Sequence, residues 1–239
     1  ATDVEAKDTW TRTYPLTADG TLVLATSNGR IDITGGDTDK VIVMAERVVR
    51  AATEEAANEQ LRIFDMKEDI SPNRVSIDSS SRGVSLNDRR TVHFTVTLPR
   101  TAAVTLHSSN GEIRASNIGG HFAAETTNGR ITATGLQQSA NVSTTNGVIA
   151  LTFDHVAGEG LRAETTNGTI TVSVPTTTNA DLSARVTNGA ITHEGLDLQV
   201  SETSRRRLDG RLGAGGTPIR LETTNGTITV KGIVITKQK

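Results

Sequence analysis

The dipeptide Asn-Gly occurs seven times in this chain, at Asn28, Asn110, Asn128, Asn146, Asn167, Asn188 and Asn225, in steps of 82, 18, 18, 21, 21 and 37 residues. A repeat of this size constrains the fold before any other property does. Each unit is too small to bury its own apolar face and must stack on its neighbours. The flanks repeat as well, as in ETTNGRITA, STTNGVIAL, RVTNGAITH and, twice, ETTNGTITV. Three residues after every Asn stands an isoleucine: Ile31, Ile113, Ile131, Ile149, Ile170, Ile191 and Ile228. Apolar residues also fall six and four before each Asn and, mostly, five after it, whereas the positions between are polar. Alternation of period two on both sides of a turn is the strand signature, so each unit reads as strand, Asn-Gly turn, strand, connection.

Two all-β folds accept this unit. Asn-Gly suits a two-residue hairpin because both residues tolerate positive φ, which predicts an antiparallel hairpin meander. A single-stranded parallel β-helix, or solenoid, instead makes Asn-Gly a corner, with about 18–21 residues per coil. Three observations favour the solenoid. The spacing is a common coil length, the isoleucine column suits like residues stacking on like, and an interior rich in Ala, Thr and Ser fits a thin core between two walls. A meander would need a second sheet or a closed barrel to cover its apolar face.

One solenoid domain over 1–239 is therefore expected, with three irregular regions. Residues 1–20 hold the lone Trp10 and lone Tyr14 and read as an N-terminal cap over the first coil. Residues 53–66 read as the one inserted α-helix, capped by Thr53, with Glu54 and Glu55 at the positive end of the dipole and Ala56, Leu61 and Phe64 on the buried stripe. Strands are expected at 40–49, 74–79 and 91–98. Residues 197–217, with four glycines and the run Arg205–Arg206–Arg207, read as a loop excursion from one coil.

The repeated T-T-N-G-x-I-x-A, with a V-x-V strand and an E-E-A helix insert before it, resembles the bacterial putative-adhesin family of β-strand repeats, related to auto-transporter adhesin head domains. The resemblance spans residues 21–232. It implies a right-handed β-helix at or outside the cell envelope, in a family of uncharacterised function that supplies no catalytic residues to carry over.

The chemistry carried by the residues is sparse. There is no cysteine, hence no disulfide, thiolate metal site or Cys nucleophile. Lys+Arg 25 against Asp+Glu 27 leaves a formal charge of −2, no footprint for nucleic acid. No apolar run is long enough to span a membrane. The five histidines are dispersed without metal-ligand spacing, no nucleophile elbow or phosphate loop occurs, and neither a cofactor nor a catalytic residue is assigned. Asp37 and Asp39 fall short of a calcium site. His193 sits at an inward position and reads as a core histidine, and His107 and Glu125 read as a stacked polar pair. Taken in chain order, the column three before each Asn ends Glu164, Arg185, Glu222. That is a charge ladder of alternating sign rather than the adjacent acids with which polysaccharide-cutting enzymes work.

The candidate binding residues are the outward hydroxyl column one before each Asn, represented by Thr127, Thr145, Thr166, Thr187 and Thr224, together with Arg205, Arg206 and Arg207 for an anionic partner. The expected function is a non-catalytic, adhesin-like scaffold of the cell envelope or cell surface that contacts a glycan or an envelope protein. Self-association through the solenoid ends is a further expected contact. The alternative is a polysaccharide-active β-helix lyase or hydrolase. A chain that starts at Ala1 without an apolar leader is compatible with a mature periplasmic or extracellular protein after signal removal.

Overall fold

A computed structural model describes residues 2–80 and 89–236. In chain order the elements are β1 (Val4–Pro15), β2 (Thr21–Asn28), β3 (Ile31–Gly36), β4 (Lys40–Ala51), α1 (Glu54–Arg62), β5 (Lys67–Ser71), β6 (Arg74–Asp78) and β7 (Arg90–Pro99). The close repeats supply β8 (Ala103–Asn110), β9 (Ile113–Ser116), β10 (Phe122–Asn128), β11 (Ile131–Leu136), β12 (Ala140–Asn146), β13 (Ile149–Phe153), β14 (Leu161–Asn167) and β15 (Ile170–Pro175). The chain ends with β16 (Ala180–Glu194), β17 (Leu198–Ser204), β18 (Arg207–Leu212) and β19 (Thr217–Ile233).

The repeat units stack in parallel, not as hairpins. The strands entering the Asn-Gly corner form a first wall in the order β2, β8, β10, β12, β14, β19, β16. Those leaving it form a second wall in the order β3, β9, β11, β13, β15, β19, β16. β16 and β19 run unbroken through their corners and serve both walls. Ile31, Ile113, Ile131, Ile149, Ile170 and Ile228 are all fully buried, each in register with the next, so the isoleucine column is a continuous apolar spine. Only Ile191, on the last coil, is partly open. The sheet is mixed because antiparallel strands finish both ends. β6 and β5 extend the first wall beyond β2. β7, β4 and β1 extend the second beyond β3.

Several expectations need correction. The coils do not stack in chain order, since β19 lies between β14–β15 and β16. The alternating ladder expected from Glu164, Arg185 and Glu222 is therefore wrong: Glu164 and Glu222 are direct neighbours, and Arg185 follows. His193 is exposed rather than a core residue, because its coil is the terminal one. Residues 197–217 are not a loop excursion. β17 and β18 form an antiparallel hairpin along the entering half of β16, with Leu208 and Leu212 buried. The inserted helix stops at Arg62, where Ile63 caps it. Thr53 does cap its start, accepting from the Ala56 N–H, but the buried helical residues are Ala57 and Leu61, and Phe64 is buried beyond the helix end.

Trp10 and Tyr14 are buried on β1, the outermost strand of the second wall, opposite Ala45 and Val41. The Tyr14 hydroxyl donates to Glu68 on β5, the outermost strand of the first wall, and Arg12 stacks 4.5 Å over the Trp10 ring. Burial, and then the Glu68 carboxylate, raise the Tyr14 pKa, so the phenol keeps its proton and the two walls stay clasped at this end. The insert is held by Arg47, which donates at 2.8 and 2.5 Å to Asp8 and at 2.9 Å to the Phe64 carbonyl.

Candidate functional site

The outer face of the first wall is built by what happens at the corner. Each corner glycine lies so close to the coil beneath it that a Cβ would overlap a backbone carbonyl; at Gly147 the clash is with the Gly129 oxygen. In four of the repeats the residue two before the Asn is an inward threonine whose hydroxyl donates to that same row of glycine carbonyls. The distances are 3.3 Å for Thr126 to Gly111, 3.1 Å for Thr144 to Gly129, 3.1 Å for Thr165 to Gly147 and 3.0 Å for Thr223 to Gly168. The asparagine amides form a second ladder. Every Nδ2 donates to the Oδ1 of the coil beneath, at 2.8–2.9 Å, through Asn110, Asn128, Asn146, Asn167, Asn225 and finally Asn188. Its foot is Asn28, which donates to the Arg90 carbonyl.

With the inner threonine and the asparagine fixed, the residue between them points outward. Thr127, Thr145, Thr166, Thr224 and Thr187 are all exposed. Four of them, Thr127, Thr145, Thr166 and Thr224, line one open groove of about 320 Å³ with Glu125, Ser143, Glu164 and Glu222. Thr187 lies one coil beyond this lining. His107 stands over Glu125 at 3.9 Å, the stacked pair expected from the sequence. The groove thus offers a hydroxyl column beside a carboxylate column. Glu164 is held by Arg162 at 2.5 and 3.0 Å on its own strand, while Glu222 stands between it and Arg185.

Arg185 does not reach back to Glu222. It is drawn forward to Asp209 on β18, at 2.7 and 2.9 Å, and Arg207 also grips Asp209 at 2.9 Å. Hydrogen bonds from Arg185 first, then Arg207 and Ser183, hold the Asp209 carboxyl down to about 2. Arg207 is thereby engaged in an ion-pair network that also includes Glu202 at 3.1 Å. Arg205 and Arg206 form the exposed hairpin tip, and their carbonyls accept from the Ile191 and Val186 N–H groups of the last coil. The structure therefore separates the two predicted binding groups. Four of the threonines line the groove, Thr187 lies a coil beyond it, and Arg205 and Arg206 stand at the hairpin tip beside the last coil.

Asp37 pairs with Arg100 at 3.2 Å, and among the described residues no group of three or more His, Asp or Glu is arranged to hold a metal ion. Reading the sequence alone missed the amide ladder, the inward threonine bonds and the Glu164–Glu222 contact. The repeated nonapeptide ETTNGTITV was the available signal for the last, because identical segments stack well in register.

The sequence model of the family described as Toastrack DUF4097 matches residues 13–231. Among solved structures, the chain is similar to a putative cell adhesion protein from Clostridium sporogenes ATCC 15579. The identity is 15%, the match covers 95% of this chain and 100% of that one, and the TM-score is 0.49. It is also similar to a putative adhesin from Bacteroides fragilis NCTC 9343, at 16% identity over 95% and 98% of the two chains, with a TM-score of 0.45. No curated protein matches the chain.

Proposed function

Because this chain belongs to the Toastrack DUF4097 family, we propose that it works as its architecture suggests, as a non-catalytic, adhesin-like β-solenoid scaffold of the cell envelope or cell surface. On this reading the coils wind right-handed, as parallel crossovers nearly always do, and the outer face of the first wall meets a hydroxyl-rich or cationic partner such as a glycan or an envelope protein. One observation carries the proposal: hydroxyl and carboxylate groups are set out coil by coil along a groove that is open to solvent. Such a face makes many weak, parallel contacts along an extended ligand instead of enclosing a small one, and clefts for small molecules are concave and largely apolar. The test is binding to an array of neutral, acidic and amino glycans, repeated with E164Q/E222Q and with Arg205, Arg206 and Arg207 changed together to Ala. Loss of a glycan signal in E164Q/E222Q supports the groove, and a wild type that retains no glycan or envelope protein overturns the reading.

A second reading rests on the same two acids. Glu164 and Glu222 stand on adjacent parallel strands. Such strands lie about 4.8 Å apart, close to the roughly 5–5.5 Å between the paired carboxyls of retaining glycosidases. Against it, Glu222 is exposed and Arg162 already occupies Glu164. Release of reducing or unsaturated ends from a polysaccharide panel, abolished by E164Q, would make this the better account.

A further inference from the structure

The last strand of the chain is not at the end of the molecule. β16 precedes β19 in the chain but lies one level beyond it, so that β19 occupies the level directly above β14–β15. The β17–β18 hairpin then turns the chain back, and β19 fills that level in register on both sides. Nine of its residues, Glu222–Val230, repeat Glu164–Val172 letter for letter, and the two copies lie parallel and in register. Identical on identical is the arrangement by which strands of separate chains stack. β19 is seated by backbone ladders to β14–β15 and to β16, by Asn225 to Asn167 at 2.8 Å and Thr223 to Gly168 at 3.0 Å, and by the buried Ile228 and Val230.

The connector before it is built as a hinge. It reads Gly213–Ala214–Gly215–Gly216, with φ of 54°, 72° and 106° at its three glycines, and nothing lies within 4 Å of where a Gly216 side chain would begin. It is closed by the Ala214 N–H to Asn179, the Gly216 N–H to Asp181 and a turn bond from the Gly215 N–H to the Leu212 carbonyl. Withdrawing β19 also breaks its ladders to β14–β15 and β16, but a second copy of the strand restores those same ladders, so the exchanged form differs from the closed one mainly at the exposed connector.

We propose that residues 217–233 are an exchangeable coil and that the partner is a second copy of this chain, with β19 of each copy filling the level above β14–β15 in the other. The short connector gives the closed monomer a millimolar-scale advantage in effective concentration. Exchange therefore shows after refolding at high protein concentration, or when the connector is too short to turn back.

The absence of cysteine makes the test direct. Thr171 and Thr229 are register partners on β15 and β19. Neighbouring strands about 4.8 Å apart fall inside the Cα range of a disulfide. Full-length T171C and T229C are prepared separately, so neither can form this bond within itself. They are then mixed, unfolded, refolded together at high concentration and oxidised. The expected product is the T171C–T229C mixed dimer, exceeding the two same-variant dimers by about fivefold or more, given the high effective concentration of a seated strand. A mixed dimer no more abundant than chance collision predicts overturns the proposal. A full-length variant lacking 214–216 is expected to run as a dimer by light scattering with unchanged β circular dichroism, and a folded monomer counts against the exchange.

Discussion

Where two consecutive threonines precede the Asn, as in four of the repeats, they have opposite tasks, and the asparagine after them fixes which is which. Thr144 is buried and donates to Gly129, Thr145 faces the groove, and Asn146 links its coil to those on either side. The alternation was legible in the sequence, because inward and outward positions follow from period two. The amide ladder was not, because Asn-Gly reads equally well as a hairpin turn, and only parallel stacking puts one amide over another. In N146D a carboxylate oxygen would face the Asn128 oxygen where an N–H now donates. A loss of about 1–3 kcal/mol is expected at pH 7, shrinking towards pH 3 as the new carboxyl gains a proton it can donate. Chemical denaturation at the two pH values checks both size and sign, and an equal loss at both would remove the ladder from the account. Ile149, fully buried, is the apolar counterpart. In I149D an unpaired buried carboxylate is expected to unfold the middle coils, and an unchanged melting temperature would contradict the spine.

At the scale of elements, local signals located starts better than ends. Thr53, followed by two glutamates, marked the first turn of α1, but nothing local placed its stop at Arg62, because Phe64 is buried outside the helix against Arg47 and Arg90. The β17–β18 hairpin was missed for a related reason. Its glycines and arginines resemble a solvated loop until β16 is seen to offer it an edge. Asp209 pins this hairpin to β16 through Arg185, and its pKa gives the pH dependence. The folded value, about 2, lies below the ordinary range of an aspartate carboxyl. The stabilisation is therefore complete above the unfolded pKa and is lost as pH falls through the folded one. D209N is expected to melt below the wild type at pH 6, with the gap closing between about pH 4 and about pH 2. A gap that persists unchanged at pH 2 would rule out the carboxylate as the pin.

For the whole molecule, the order of the coils is decided by weighing two costs. Chain order would place Arg185 between Glu164 and Glu222 and satisfy the charges, but it would also enclose His193 between Val172 and Val230. The observed order sets an exposed Glu222 beside a half-buried Glu164, worth roughly 0.2–1 kcal/mol, and leaves His193 in solvent. Burying an imidazole without a partner costs roughly 1–3 kcal/mol, so burial outweighs charge alternation. The exception at His193 was visible in the sequence, but its meaning was not, since a single inward polar residue marks a terminal coil only once the alternatives are compared. This order reverses the usual expectation for a C-terminal segment, which frays. β19 is hydrogen-bonded on both sides, whereas β17 is an edge. In hydrogen exchange, amides of 219–230 should exchange as slowly as those of β14, well after those of 198–204, because protection follows the number of neighbouring coils and not distance from the chain end. If 219–230 exchange along with the hairpin, the last coil is not inserted, and the Glu164–Glu222 pair on the outer face of the first wall goes with it.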